Sequence, residues 1–360
     1  MKNGAYKKLA ERLDALPNGY PPTDDGAELR LLEKLYTPDE AELASQLRLP
    51  KETPDMISKR LGRDETEVRK LLKGMARNGL IAAGRTEAGL GYGLLPFVVG
   101  IYEYQAGKID KELATLFEDY YTQAFADVLK VKPQVHRVIP VKESIKVDME
   151  VRPYESASDI VNGAQAWGVL DCICRKQKEL LGDPCEHPLD VCMTISEVPG
   201  AFDKNTLVTV LTRDEAQATL QRAADAGLVH SVSNNQKGIH YICNCCTCSC
   251  GILRGMSEIG IANVVARSSF VNQVDEQICN GCEDCLEYCQ FNALSMGDDM
   301  IMQVNSMRCV GCGVCVPHCS TESLGMVMRP EEDVVPPPET LKDWGVERAA
   351  DRGINIMDVM

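Results

Sequence analysis

Two runs of cysteine in the last third of the chain share one spacing: Cys279, Cys282, Cys285 and Cys289, then Cys309, Cys312, Cys315 and Cys319, thirty positions on. Soft thiolates at every third residue of a tight turn can be gathered about one centre. A cubane iron–sulfur cluster needs four such thiolates arranged tetrahedrally, and this is the chemistry the spacing suits. Gly281 and Gly311 stand inside the turns, where the missing β-carbon lets backbone N–H groups come close to cluster sulfur. The repeat extends past the cysteines to Leu294/Leu324 and Met296/Met326 at the same offset, which marks two copies of one unit. A pair of zinc sites, or thiols buried for packing, fits so regular a run less well.

With both motifs complete, the segment 271–328 resembles the two-cluster bacterial ferredoxins. The resemblance implies two [4Fe-4S] clusters with crossed ligation, the fourth cysteine of each run serving the other cluster. One cluster would take Cys279, Cys282, Cys285 and Cys319, and the other Cys309, Cys312, Cys315 and Cys289. Gln290 and Ser320 depart from the family's habit of a proline after the fourth cysteine. The change leaves the ligands in place, loosens the turn and adds hydrogen-bond donors beside the clusters.

Removing these eight cysteines from the total of 17 leaves nine, all within residues 172–250. Cys172, Cys174, Cys185 and Cys192, interleaved with Gly182, Pro184 and Pro188, read as a loop folded around a metal rather than a helix or strand. A third [4Fe-4S] cluster is the expected occupant, with zinc, buried thiols or ligation shared with the next run as alternatives. Arg175 is placed to donate to a cluster sulfur, and His187 reads as a surface residue near the ligands. The second run, Cys243, Cys245, Cys246, Cys248 and Cys250, packs five cysteines into eight residues, more than any core requires. In an extended backbone Cys246, Cys248 and Cys250 share one side, and Cys243 and Cys245 the other. A fourth cluster is one reading of this run, and redox-active thiols the other. The expected total is above eight irons per chain, with twelve as the count and no zinc in this region.

The elements that must hold these ligands can be read from capping and turn residues. Thr37-Pro38 with Glu40, Thr53-Pro54, and Asp64 with Glu67 each mark a helix start. Val68, Leu71, Leu72 and Met75 lie on one face of the last helix, Gly79 stops it, and a glycine-rich hairpin follows. Helices followed by a hairpin predict a winged-helix-like domain over 1–100. A cysteine-rich domain of mixed structure is expected over 101–270, with a helix at 157–167 and a second helix–hairpin unit beginning at Thr212. The dicluster ferredoxin-like domain then occupies 271–330 and an acidic, proline-rich linker and tail 331–360, an α+β chain overall. The middle section, with Cys172 to Arg175 and the run ending Cys248-Ser249-Cys250-Gly251, resembles larger ferredoxin-like proteins of anaerobic bacteria and archaea. Those proteins join a winged-helix-like N-terminus to a C-terminal dicluster domain, and the resemblance covers nearly the whole chain.

The N-terminal residues lack the apolar core and small-residue cleavage site of a secretory signal, and the apolar stretch 89–102 is too short for a membrane span. A reducing cytoplasm is therefore expected, where clustered cysteines bind metal rather than pair as disulfides. The formal net charge of −15 opposes general affinity for nucleic acid. Asp64, Glu65 and Glu67 crowd the helix end that would approach a major groove, so docking or dimerisation suits the N-terminal domain better than DNA. No phosphate-binding loop, nicotinamide or flavin fingerprint, or organised acid–base set is present. Intracellular one-electron transfer to redox partners or the subunits of a larger oxidoreductase is the expected function. A redox-sensing DNA-binding regulator and an enzyme built on an unusual middle cluster are the alternatives.

Overall fold

Side-chain caps set the helix starts of the N-terminal third in the computed structural model, which describes residues 2–146, 149 and 151–359. Thr37 accepts from the Glu40 N–H while the Glu40 carboxylate accepts from the Thr37 N–H, a reciprocal pair that opens helix Pro38–Ala44. Thr53 and Asp64 cap Pro54–Leu61 and Glu65–Arg77 in the same way from one side only. Val68, Leu72 and Met75 form the buried face of the last helix. Gly79, at φ +72°, ends it where a β-carbon would lie 2.3 Å from Tyr104 Cβ. Strands β1 (Ala82–Thr86) and β2 (Gly89–Gly93) then pair as an antiparallel hairpin.

The chain divides into two compact units. The first comprises Met1–Lys132, Lys176–Pro184 and Gly345–Met360. Its core includes stacked aromatic rings, with the Tyr102 and Phe117 centroids 3.8 Å apart. The residues after 344, expected as a tail, carry a fully buried arginine. Arg348 donates to the carbonyls of Pro17 at 2.9 Å, Val131 at 2.6 Å and Val128 at 2.6 Å.

The second unit comprises Pro133–Arg175 and Cys185–Trp344. Seven strands build its main sheet: β3 (His136–Ile139), β4 (Ala166–Leu170), β5 (Cys192–Ser196), β6 (Thr209–Leu211), β7 (Val229–Ser233), β8 (Tyr241–Cys245) and β9 (Val265–Ala266). Their order is β6-β4-β5-β8-β7-β3-β9, antiparallel except for the β3–β9 pair. Helix Arg213–Asp225, opened by a Thr212–Glu215 capping box, lays Ala216 and Leu220 on Ile139, Met193, Val232 and Ile242. The second helix–hairpin expected from sequence is thus built into a larger sheet, because β8 pairs with β5 as well as with β7.

Two local expectations need correction. The helix at 157–167 ends at Gly163, and Trp167 lies on β4, its indole N–H donating to Val161 O at 2.8 Å. Cys172 to Cys192 is not all loop: helix Ile173–Leu180 carries Cys174, and Cys192 opens β5.

Beyond the sheet, β10 (Phe270–Val274) pairs with β13 (Leu324–Met328), and β11 (Leu294–Met296) with β12 (Met302–Val304), both antiparallel. Leu294, Met302, Leu324, Cys285 and Cys315 share one small core. Among the described residues no helix is long and apolar enough to cross a membrane.

Replacing Arg348 with alanine takes this donor from the carbonyls of Pro17, Val128 and Val131, the first two of them buried. A loss of at least about 3 kcal/mol is expected, read as a lower urea midpoint by circular dichroism, with Arg348→Lys intermediate.

Candidate metal centres

Two buried cysteines of the repeat each have the fourth cysteine of the other run among their charged neighbours. Burial first, then the charges of Cys319, Cys282 and Cys279, push the Cys285 thiol up to about 11. Burial pushes Cys312 up to about 12, and its contributing neighbours are Cys309 and Cys289. Cys315 is raised mainly by burial, and then by the charges of Cys312, Cys289, Cys309 and Cys285. Cys319 thus acts on Cys285 of the first run, and Cys289 on Cys312 and Cys315 of the second.

Both loop glycines sit in left-handed backbone packed against other parts of the chain. Gly281 has φ +71°, and a β-carbon there would lie 2.6 Å from Met300 O. At Gly311, φ +75°, it would lie 2.1 Å from Ser268 Oγ and 2.2 Å from Phe270 O. Donors already point at the sulfurs: the Ala293 N–H reaches Cys289 Sγ at 3.2 Å, the Met302 N–H reaches Cys279 Sγ at 3.5 Å, and Asn272 Nδ2 reaches Cys315 Sγ at 3.1 Å. Cys319 is the exception to the upward shifts. Burial would raise it, but the Ser323 and Thr321 hydroxyls hold it down at about 7. Such donors favour the charged sulfur and tune a cluster bound through it.

Both departures from the proline habit have partners. Ser320 Oγ lies 3.4 Å from Cys282 Sγ. Gln290 accepts from the Thr247 N–H at 2.8 Å and donates to Gly227 O, so one side chain ties this repeat to the turn that carries the middle cysteines. Tyr288 and His318, each preceding the fourth cysteine of its run, stack with centroids 3.5 Å apart and planes 3° off parallel.

The nine middle cysteines separate by sheet register, not by nearness in sequence. The Met193↔Ile242 pairing of β5 with β8, extended by one residue, sets Cys192 opposite Cys243. β4 reaches the same sheet end at Leu170, paired with Cys192, and Cys172 follows with its N–H on Leu189 O at 2.7 Å. Cys243 and Cys245 lie on one face of β8, as strand alternation requires. The strand stops at Cys245, however, and 246–250 turn. Cys250 thus returns to Cys245 instead of sharing a side with Cys246 and Cys248.

Six thiols are linked in this way: Cys192 to Cys172, Cys172 to Cys174, Cys174 to Cys250, Cys250 to Cys245 and Cys245 to Cys243. Cys172 is the thiol held low, by hydrogen bonds from Cys174 and Cys192 against the pull of burial, and those bonds raise Cys174 and Cys192 in turn. So many buried sulfurs cannot ionise together without a cation among them. Arg175, 1% exposed, lies beside this group. It donates to Pro188 O at 3.0 Å and Asn244 O at 2.9 Å, and its Nε is buried with no protein partner. Burial works against its charge, but Cys172, Cys246, Cys192 and Cys245 outweigh burial and raise its pKa. A free, charged N–H at a thiol pocket is suited to an acceptor such as cluster sulfide.

Cys185, Cys246 and Cys248 form a separate group with His187, which is half-buried and not the plain surface residue expected. Hydrogen bonds to Cys185 and then Cys248 push the imidazole up to about 9.

Residues 278–323 match the family model of the 4Fe-4S dicluster domain. No curated protein and no solved structure is significantly similar to the chain. The segment so matched is an iron–sulfur electron-transfer domain, and the protein carries [4Fe-4S] clusters there.

Gly311→Ala puts a methyl group against Ser268 and Phe270 in a left-handed backbone, and is expected to lower cluster loading. Iron per chain and the visible absorption of the cluster should both fall, while Gly107→Ala, in open space, changes neither.

Proposed function

We propose that the protein is a one-electron carrier of a reducing cytoplasm, serving a larger oxidoreductase system. Cys279, Cys282, Cys285 and Cys319 hold one [4Fe-4S] cluster, and Cys309, Cys312, Cys315 and Cys289 hold the other. Bound clusters of this kind supply reversible one-electron chemistry without a substrate site. The chain's own part is to desolvate the ligands, as at Cys285 and Cys315, and to aim N–H and hydroxyl donors at their sulfurs.

The six linked cysteines at the sheet end hold a third centre, with Arg175 as its charged neighbour. Six thiolates exceed the four of a simple cubane, and the ligand set draws on both middle runs. The helices and hairpin of residues 1–100 serve as a winged-helix-like docking element for protein. At helix Glu65–Arg77 the basic Arg69 is paired with Glu65, and Arg63 with Glu67 at 2.8 Å, which reduces the positive charge available to phosphate.

In anaerobically prepared protein more than eight irons per chain are expected, with twelve as the count. Replacing Cys172 and Cys174 together should remove about four of them and leave the dicluster EPR signals; a wild-type count of eight would refute the third centre. Cys289→Ala should damage the cluster built on Cys309, Cys312 and Cys315, and selective loss of the other cluster would show that the ligation is not crossed.

A further inference from the structure

The close-packed group at Cys185 calls for an occupant different from that of the other thiols. Its four donor atoms, from Cys185, His187, Cys246 and Cys248, all lie within 4.8 Å of one another. Cys185 Sγ is 3.1 Å from His187 Nδ1, 3.3 Å from Cys248 Sγ and 3.7 Å from Cys246 Sγ. Around one zinc ion, with Zn–S about 2.3 Å and Zn–N about 2.0–2.1 Å at tetrahedral angles, neighbouring donors stand about 3.5–3.8 Å apart. A cubane instead sets a different iron under each ligand and spreads the four sulfurs more widely. Among the described residues, no other set of three or more Cys, His, Asp or Glu donors is packed as closely as the Cys185 group.

We infer that Cys185, His187, Cys246 and Cys248 form a closed, tetrahedral zinc site, distinct from the iron–sulfur centres. Three thiolates and an imidazole are soft to borderline donors, which favour zinc over the hard cations that prefer oxygen. Four protein ligands leave no open position, so the site is structural and not catalytic. Surrounding groups suit a site of net negative charge: Arg175 Nη2 lies 3.6 Å from Cys246 Sγ, and the Ser249 hydroxyl donates to Cys248 Sγ at 3.8 Å. The ion joins the loop at Cys185 to the turn 246–250, whose last residue, Cys250, belongs to the six-thiol pocket. It thereby fixes the geometry of that pocket from outside. This departs from the expectation that the middle cysteines bind iron alone, and it does not depend on the function of the dicluster segment.

The full-length protein, produced anaerobically with both iron and zinc in the medium and passed over a chelating resin, is assayed for both metals. About one zinc per chain is expected, with zinc-edge absorption fitted by three sulfurs at about 2.3 Å and one nitrogen at about 2.0 Å. His187→Ala and Cys248→Ser should each lower bound zinc by more than about tenfold. Wild-type protein without zinc overturns the proposal, as does an all-sulfur or oxygen-containing zinc shell. Because the absorption measurement uses the wild-type chain, a variant that fails to fold does not decide the question. Loss of iron in place of zinc from either variant would show that the four residues hold a cluster.

Discussion

Crowding of thiols is the constraint on which the second unit depends. All 17 cysteines are free, and many lie buried within reach of other sulfurs. Burial alone opposes ionisation, and neighbouring thiolates oppose it again, so Cys312 and Cys315 are pushed up, as is Cys285, while its neighbour Cys319 is held down by hydroxyl donors. Without cations, groups of this kind would stay mostly protonated. Metal ions invert that relation, since each thiolate becomes a ligand and binding energy is released into the folded state. The rest of the unit can be understood as scaffolding that keeps the sulfurs close before the metal arrives.

Three neighbouring strands provide much of that scaffolding. β4, β5 and β8 bring Cys172, Cys192, Cys243 and Cys245 to one end of the sheet, and the helix packed through Ala216 and Leu220 holds β5 and β8 in register. A one-residue slip of β8 against β5 would turn Cys243 and Cys245 to the opposite face. The apolar contacts of Met193 and Ile242 thus position ligands they do not touch.

How much of this was legible follows from the range of the interactions. The dicluster segment was readable because three cysteines of each run are close in sequence and the spacing repeats, and residues 278–323 match that family model; the caps at Thr37, Asp64 and Thr212 were equally plain. The partition of the nine middle cysteines was not readable. Cys185 lies between Cys174 and Cys192 in sequence, yet its partners are Cys246 and Cys248, and only strand pairing decides that. His187 gave a weak signal, a histidine two residues from a cysteine, that a surface position explains equally well. Nothing local announced that Arg348 would be buried on the carbonyls of residues more than two hundred positions away.

Gln290 shows why an irregular position in a regular motif can hold more information than the motif itself. A proline there would stiffen the exit from the cluster loop but could form neither of its hydrogen bonds. Gln290 spends one side chain on Gly227 O, at the end of helix Arg213–Asp225, and on the Thr247 N–H, within the turn that carries Cys246, Cys248 and Cys250. The loop after Cys289 is thereby anchored to the same turn that the Cys185 group holds from its other side. Small displacements of that turn would move Cys250 in the six-thiol pocket and Gln290 beside the dicluster together. An electron carrier benefits from such bracing, because rigid, desolvated ligands with fixed donors leave little to rearrange when the charge on a cluster changes by one electron.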